Sequence, residues 1–365
     1  MNAAMFHPIR IAAILAVASP LALLLFAGAF AASGHQESAR TIYRDLRYLL
    51  LAELACVLIM ACAGAIYQSA STVRELRSYK PPGTLVDVGG YRLHLYCSGK
   101  GGPTVVLDYG LAGSYLDWFY VQPEVANFTR VCSYDRAGYG WSDASPKPRL
   151  PESMAEELHT LLKNGGGTSP YILVGHSFGA FNALAFAKLF ARETAAVIFV
   201  DGSHPDVALP FRTQDKLWLR MMQLTMPFGL PRWRKWCGDG PLDFRGVKTA
   251  ITCRSQAQKT YYEQWRAFAK SAEQIRVLDT LGDVPIAVIA RDPNRDNVNR
   301  SREERWQSLQ RQFMKYSKNA TYVVAPGSGH SVPSQRPDII VDVIRKMVEQ
   351  MRSGIARDEA GPIHH

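Results

Sequence analysis

The chain has 365 residues, a formal net charge of +10, and 47% hydrophobic against 20% charged residues. That length excludes one small core and suits a large domain with an appendage. No basic run is interleaved with aromatics, which excludes a nucleic-acid-binding module; the positive excess reads either as attraction to an anionic membrane surface or as plain solubility charge.

Residues 11–32 are almost wholly apolar, with Ser19-Pro20 the one interruption. They are long enough to cross a bilayer, which takes about 20 residues. A polar stretch follows at 33–47, and 48–66 is apolar again apart from Glu53 near its start, where headgroups tolerate a charge. The pattern predicts two membrane-spanning helices in a hairpin, inside an anchor of residues 1–80, and so a multi-pass protein of a bacterial-type cell membrane. A cleaved signal peptide is the rival for the first segment, because small residues surround Ala29-Phe30-Ala31. Arg10, Arg74, Arg77 and Lys80 flank the hairpin, whereas Arg40, Arg44 and Arg47 lie in its loop. Counting positive residues favours both termini in the cytoplasm by a narrow margin.

Lys80-Pro81-Pro82-Gly83 ends the membrane region and opens a domain at 81–352. Residues 85–88 and 91–96 alternate apolar and polar around Gly89-Gly90, the pattern of an antiparallel hairpin. Residues 104–108 form a buried strand that ends in a glycine loop, Tyr109-Gly110-Leu111-Ala112-Gly113. A partly helical stretch covers 114–128. The strand 130–134 then runs into Asp135-Arg136-Ala137-Gly138-Tyr139-Gly140-Trp141-Ser142. Residues 152–162 read as an amphipathic helix with Met154, Leu158, Leu161 and Leu162 on one side.

Next comes the short apolar run Tyr171-Ile172-Leu173-Val174, then Gly175-His176-Ser177-Phe178-Gly179, then a helix-like run at 180–192. A serine thus sits at a tight strand-to-helix turn. The flanking glycines belong there because side chains two positions either side would collide with strand and helix. Residues 195–200 form another strand, followed by Asp201-Gly202-Ser203-His204. Residues 209–281 break the strand–helix alternation and carry Trp218, Met221, Met222, Met226, Trp233, Trp236 and Trp265 among many basic residues. Alternation returns with a strand at 284–290, a helix at 301–316, a strand at 321–325 leading to Pro326-Gly327-Ser328-Gly329-His330, and a helix at 337–351. A disordered tail is expected at 353–365. Repeated strand–helix units after a hairpin imply an α/β fold with a mostly parallel sheet flanked by helices.

Cys56 and Cys62 lie in the second apolar segment; Cys97, Cys132, Cys237 and Cys253 lie in the soluble part. Four soluble cysteines form disulfides in an oxidising compartment and are buried thiols otherwise. None has zinc spacing, so no structural metal is expected.

Taken together, these motifs resemble an α/β-hydrolase of the lipase and esterase type over about residues 85–351. The resemblance rests on Tyr109-Gly110, the 135–142 segment, the 175–179 elbow, Asp201 and Gly329-His330, in that order. It departs from the family at Tyr109, where a histidine often stands. It implies an eight-stranded sheet with a helical lid insert at about 209–281. It also implies Ser177 as nucleophile, His330 as base, and the backbone N–H groups of Phe178 and Leu111 as oxyanion donors. The family's acid usually follows the seventh strand, and that position falls on Asn294, flanked by Asp292 and Asp296. The other place is after the sixth strand, at Asp201. Asp201 is preferred, Asp292 is second and Asp296 third. His176 is expected to pack or hydrogen-bond beside the nucleophile, His204 to be structural, and Asp135 and Arg136 to fix their loop.

A serine at the elbow speaks against the aspartate-nucleophile members, dehalogenases and epoxide hydrolases. The resemblance implies no cofactor and no catalytic metal, and it pairs Cys97 with Cys132 on adjacent strands. The expected substrate is a small or lipid-like ester with an apolar acyl group. The alternatives are an amidase or iminopeptidase on the same fold, and a catalytically silent binding protein, which intact Ser177 and His330 disfavour.

Overall fold

The computed structural model describes residues 36–207, 213–238, 242–278, 280–295 and 300–359. The chain divides into two compact units, residues 1–69 and 70–365. The helix α1 (Gln36–Ser78) begins in the first unit and ends in the second. Among the described residues one helix is long and apolar enough to cross a membrane, the Arg40–Ser78 part of α1, and its apolar window is unburied. Leu54, Leu58 and Ile59 are among its exposed large side chains, an apolar surface that water-soluble proteins seldom present.

The described residues therefore hold one such helix and not a hairpin. Residues 36–47, expected in a polar loop, are helical turns of α1. Their polar side chains do not oppose a helix: Glu37, Ala39, Arg40, Leu46 and Arg47 are good helix formers, and no glycine or proline interrupts them. The first apolar segment, 11–32, lies outside the described residues.

The second unit is built on eight strands: β1 (Thr84–Asp87), β2 (Arg92–Ser98), β3 (Thr104–Asp108), β4 (Val131–Tyr134), β5 (Tyr171–His176), β6 (Thr194–Val200), β7 (Ile286–Arg291) and β8 (Ala320–Ala325). They form one sheet in the order β1-β2-β4-β3-β5-β6-β7-β8. β1, β2 and β4 pair antiparallel, and every pairing from β4 onward is parallel. β3 and β5 lie side by side at the centre, so the loops after them meet at the carboxyl edge of the sheet.

The helices that follow α1 are α2 (Gln122–Ala126), α3 (Pro151–Asn164), α4 (Gly179–Leu189), α5 (Thr213–Thr225), α6 (Leu230–Trp233), α7 (Arg245–Thr252), α8 (Ser255–Arg266), α9 (Phe268–Arg276), α10 (Arg300–Gln312), α11 (Val332–Gln335) and α12 (Pro337–Glu359). Successive strand residues point to opposite faces, and the core divides accordingly. Val106, Leu173 and Val197 pack with Leu158 of α3 and Phe181 and Phe186 of α4. Val105, Leu107, Ile172 and Ile198 pack with Val125 of α2 and Ile340 and Ile344 of α12 on the other face. Fully burying a side chain of this size stabilises by roughly 1.5–3 kcal/mol. Both faces are covered, which explains why the central strands read as unbroken apolar runs.

Residues described between 213 and 276 are largely helical, as α5 to α9, in the region where the strand–helix alternation breaks. Disulfides join Cys97 to Cys132 and Cys237 to Cys253. The first links directly opposed residues of β2 and β4. α12 continues to Glu359, past the point where a disordered tail is expected, and the rest of that tail, 360–365, lies outside the described residues.

Candidate active site

Ser177 stands between β5 and α4 in a left-handed backbone conformation, φ +50°. That conformation is uncommon for a residue with a side chain and marks stored strain. The neighbouring glycines make it possible. A Cβ on Gly175 would lie 2.5 Å from the Gly179 carbonyl oxygen, and one on Gly179 would lie 2.6 Å from that of Asp108. The bend is tied on both sides: the Ser177 N–H donates to the Val200 carbonyl at 3.1 Å, and the Ser177 carbonyl accepts from Ser203 N–H at 2.8 Å.

His330 reaches the same place from the turn after β8. Its ring lies between two partners, with Nε2 2.9 Å from Ser177 Oγ and Nδ1 2.6 Å from Asp201 Oδ2. A carboxylate accepts only, so Nδ1 carries the proton. Nε2 of the neutral ring is then the acceptor for the serine hydroxyl. The His330 side chain is 44% exposed while that of Asp201 is wholly buried.

Asp201 follows β6 and also has a left-handed backbone, φ +42°. Its Oδ1 accepts from the Trp306 indole N–H at 2.7 Å, and its Oδ2 accepts from Arg291 Nη1 at 3.4 Å. Burial pushes this carboxyl up, but the His330 hydrogen bond and charge, with Arg291 and Trp306, outweigh it and hold the group below its ordinary value.

Of the three candidate acids, then, Asp201 is the one beside the imidazole. Asp292 accepts instead from the backbone N–H groups of Gly327 and Asn294, at 2.7 and 2.8 Å, and fixes the turn that carries His330. Asp296 lies outside the described residues.

His176 donates from Nε2 to the His330 carbonyl oxygen at 2.8 Å. Burial, then the nearby charge of His330, depress its pKa to about 4, so it is a neutral donor. His204 is buried, stands edge-on to Phe313, and is also depressed to about 4, chiefly by burial.

A cavity of about 380 Å³ opens at the serine, lined by Leu111, Ser177, Phe178, Phe268, Trp306 and His330, among others. Leu111, from the loop after β3, and Phe178, just after β5, both border it. Gly110 is pressed so close that a Cβ there would lie 3.2 Å from the Ser177 Cβ. The cavity wall is mostly apolar. No cluster of three or more His, Cys, Asp or Glu residues arranged to hold a metal occurs among the described residues.

Sequence reasoning missed Trp306 and Arg291. The available signal was slight: Trp306 is the single aromatic in the highly charged helix α10, and Arg291 ends β7, the strand after which the family's acid usually stands.

Such a sheet, with a strained serine at the mouth of its central strand and an imidazole delivered from the last one, defines the hydrolase class of α/β proteins. Residues 101–343 match the model of the Alpha/beta hydrolase family, and the chain belongs to that family. Over 197 residues it is 27% identical to YbdG of Bacillus subtilis, covering 53% of this chain and 61% of that protein. It is 27% identical over 309 residues to a probable transporter, efuK, of Hormonema carpetanum, covering 73% of this chain but only 42% of the relative. The chain thus spans about three fifths and two fifths of these two relatives. Among solved structures, a thermophilic esterase from Thermogutta terrifontis superposes with a TM-score of 0.56 at 21% identity, over 73% of this chain and 97% of the esterase.

Proposed function

We propose that the protein is a membrane-anchored serine hydrolase that cleaves carboxylic esters with apolar acyl groups. The supporting observation is the unbroken run of short contacts from Ser177 through His330 to Asp201. In this reading Ser177 Oγ attacks the ester carbonyl carbon while its proton passes to His330 Nε2. The carbonyl π electrons move to oxygen, and the N–H groups of Leu111 and Phe178 stabilise that oxyanion. The tetrahedral centre collapses, the C–O bond to the alcohol breaks, and the alcohol leaves with the proton from Nε2. Water then attacks the acyl-serine by the same route and releases the acid. Asp201 keeps Nδ1 protonated and the ring in its productive tautomer.

The helices between residues 213 and 276 act as the lid, and Phe268 of α9 supplies an apolar wall to the cavity. α1 is the anchor. The two disulfides favour a catalytic domain on the oxidising side of the membrane, against the narrow balance of positive residues.

Labelling with a fluorophosphonate probe tests the reading. The wild type should label and Ser177→Ala should not, and p-nitrophenyl esters should turn over where the matching anilides do not. An unlabelled wild type, or equal labelling of both, overturns it; preferred turnover of anilides makes the enzyme an amidase.

A further inference from the structure

We infer that Arg136 is a positioning residue for the oxyanion donor at Leu111, an inference that rests on the serine-hydrolase reading above. Arg136 follows β4 and is 1% exposed. Its guanidinium does not reach the cavity. Nη1 donates to Asp108 Oδ1 at 2.5 Å and to the Tyr109 carbonyl at 2.7 Å, and Nη2 donates to the Gly110 carbonyl at 2.6 Å. The carbon between them lies 4.0 Å from the centre of the Tyr109 ring, and the Arg136 backbone N–H donates to the Tyr109 hydroxyl at 2.6 Å. One buried cation therefore grips two consecutive carbonyls of the loop that carries Leu111.

The geometry of the peptide bond gives this grip its consequence. The non-proline bond Gly110–Leu111 is trans; the cis bonds of the described chain precede Pro103 and Pro170. In a trans peptide the carbonyl oxygen and the following N–H point in opposite directions. Holding the Gly110 oxygen on the guanidinium therefore directs the Leu111 N–H away from Arg136. Leu111 lies on the cavity wall with Ser177, and Gly110 sits against the Ser177 side chain. The Gly113 N–H also reaches the Gly110 oxygen, but at 3.3 Å, so the guanidinium at 2.6 Å is the shorter of the two restraints on that peptide. The anchoring carboxylate is itself shared: Asp108 Oδ2 accepts from the Tyr134 hydroxyl at 2.7 Å and from Asn182 Nδ2, on α4, at 2.8 Å. The ion pair thus ties the oxyanion loop to the helix that follows the nucleophile. That tie bears on the stability of the loop, whereas the two carbonyl contacts set the aim of the Leu111 N–H, which developing transition-state charge makes matter most.

The test compares Arg136→Gln, Arg136→Lys and Asp108→Asn in the full-length chain. Melting temperature, kcat, KM on a p-nitrophenyl ester, and affinity for a trifluoromethyl ketone, which forms an oxyanion on the serine, are measured for each. For the Arg136 variants we expect kcat and ketone affinity to fall together by about tenfold to a hundredfold with KM nearly unchanged. Asp108→Asn leaves both carbonyl contacts in place, so it should lose melting temperature but keep ketone affinity within about threefold, well short of an oxyanion-donor loss. If Arg136→Gln does not fold, the Asp108→Asn/Arg136→Gln pair is read instead, since it leaves no unpaired buried charge. Unchanged ketone affinity in folded Arg136 variants overturns the inference, as does an equal loss in Asp108→Asn. In either case fluorophosphonate labelling of Ser177 still stands, which separates this failure from failure of the hydrolase reading.

Discussion

Two buried carboxylates stand at the carboxyl edge of the sheet, Asp108 at the end of β3 and Asp201 just past β6, and they are built from similar parts. Each meets one arginine, Arg136 or Arg291, and one aromatic donor, the Tyr134 hydroxyl or the Trp306 indole. The remaining side-chain partner differs. Asp108 holds the Asn182 amide inside the core, whereas Asp201 holds an imidazole that is 44% exposed and faces the serine. A carboxylate whose partners are all buried can only hold structure. One whose partner opens on a cavity can also steer a proton. Local composition alone does not distinguish the two, because the difference lies in where the last partner points.

The largest effect that would sharpen this contrast is at the serine itself. Ser177→Ala or His330→Ala should lower kcat by roughly a millionfold with the fold intact, as removal of a nucleophile or its base does elsewhere. Retention of more than about a hundredth of activity would leave another group to do the chemistry. Next, Asp201→Asn should cost about ten-thousandfold through the wrong imidazole tautomer. Asp108→Asn should act mainly on melting temperature, and Asp292→Asn, which leaves one acceptor oxygen for two turn N–H groups, should cost about 1 kcal/mol in stability and far less in kcat than Asp201→Asn. Comparable kinetic losses at Asp108 and Asp201 would dissolve the distinction.

Much of this arrangement could be read from the chain. The elbow at 175–179 was legible because strand, glycine, serine, glycine and helix are contiguous. The partner histidine was legible because glycines punctuate the turn after the last strand. Asp201 could be preferred because it ends a strand, and contact with His330 is something only the fold supplies. What could not be read is long-range. Nothing near Arg136 in sequence reveals that its guanidinium meets the carbonyls of Tyr109 and Gly110, 26 or 27 positions away. Trp306 meets Asp201 across 105 positions. The misread 36–47 segment teaches a different point. Polar residues without glycine or proline are as suited to a helix as to a loop, and polarity alone cannot decide between them.

Smaller effects probe the supports of the open site. Trp306→Phe deletes the indole N–H that holds Asp201 Oδ1 and should lower kcat about threefold to tenfold, the worth of roughly one ordinary hydrogen bond. Because Arg291 and His330 still engage the carboxylate, stability should change less than activity does. A loss as large as that of Asp201→Asn would mean that the indole, not the imidazole contact, sets the carboxylate's orientation.

The finest test is one of pH, and it concerns His176, whose Nε2–H holds the His330 carbonyl. Its pKa is about 4 in the folded protein against an ordinary 6.5. Between those values the unfolded chain takes up a proton that the folded chain does not. Stability from this group is therefore complete above pH 6.5, declines as the pH falls toward 4, and declines no further below that. His204, also depressed to about 4, adds a second such proton. In His176→Asn one of the two is gone, so proton uptake on unfolding near pH 5, measured by calorimetry in buffers of different ionisation enthalpy, should drop by about one. Uptake equal to that of the wild type would mean that His176 is already charged in the folded protein. The neutral-donor account of how His330 is held would then have to be abandoned.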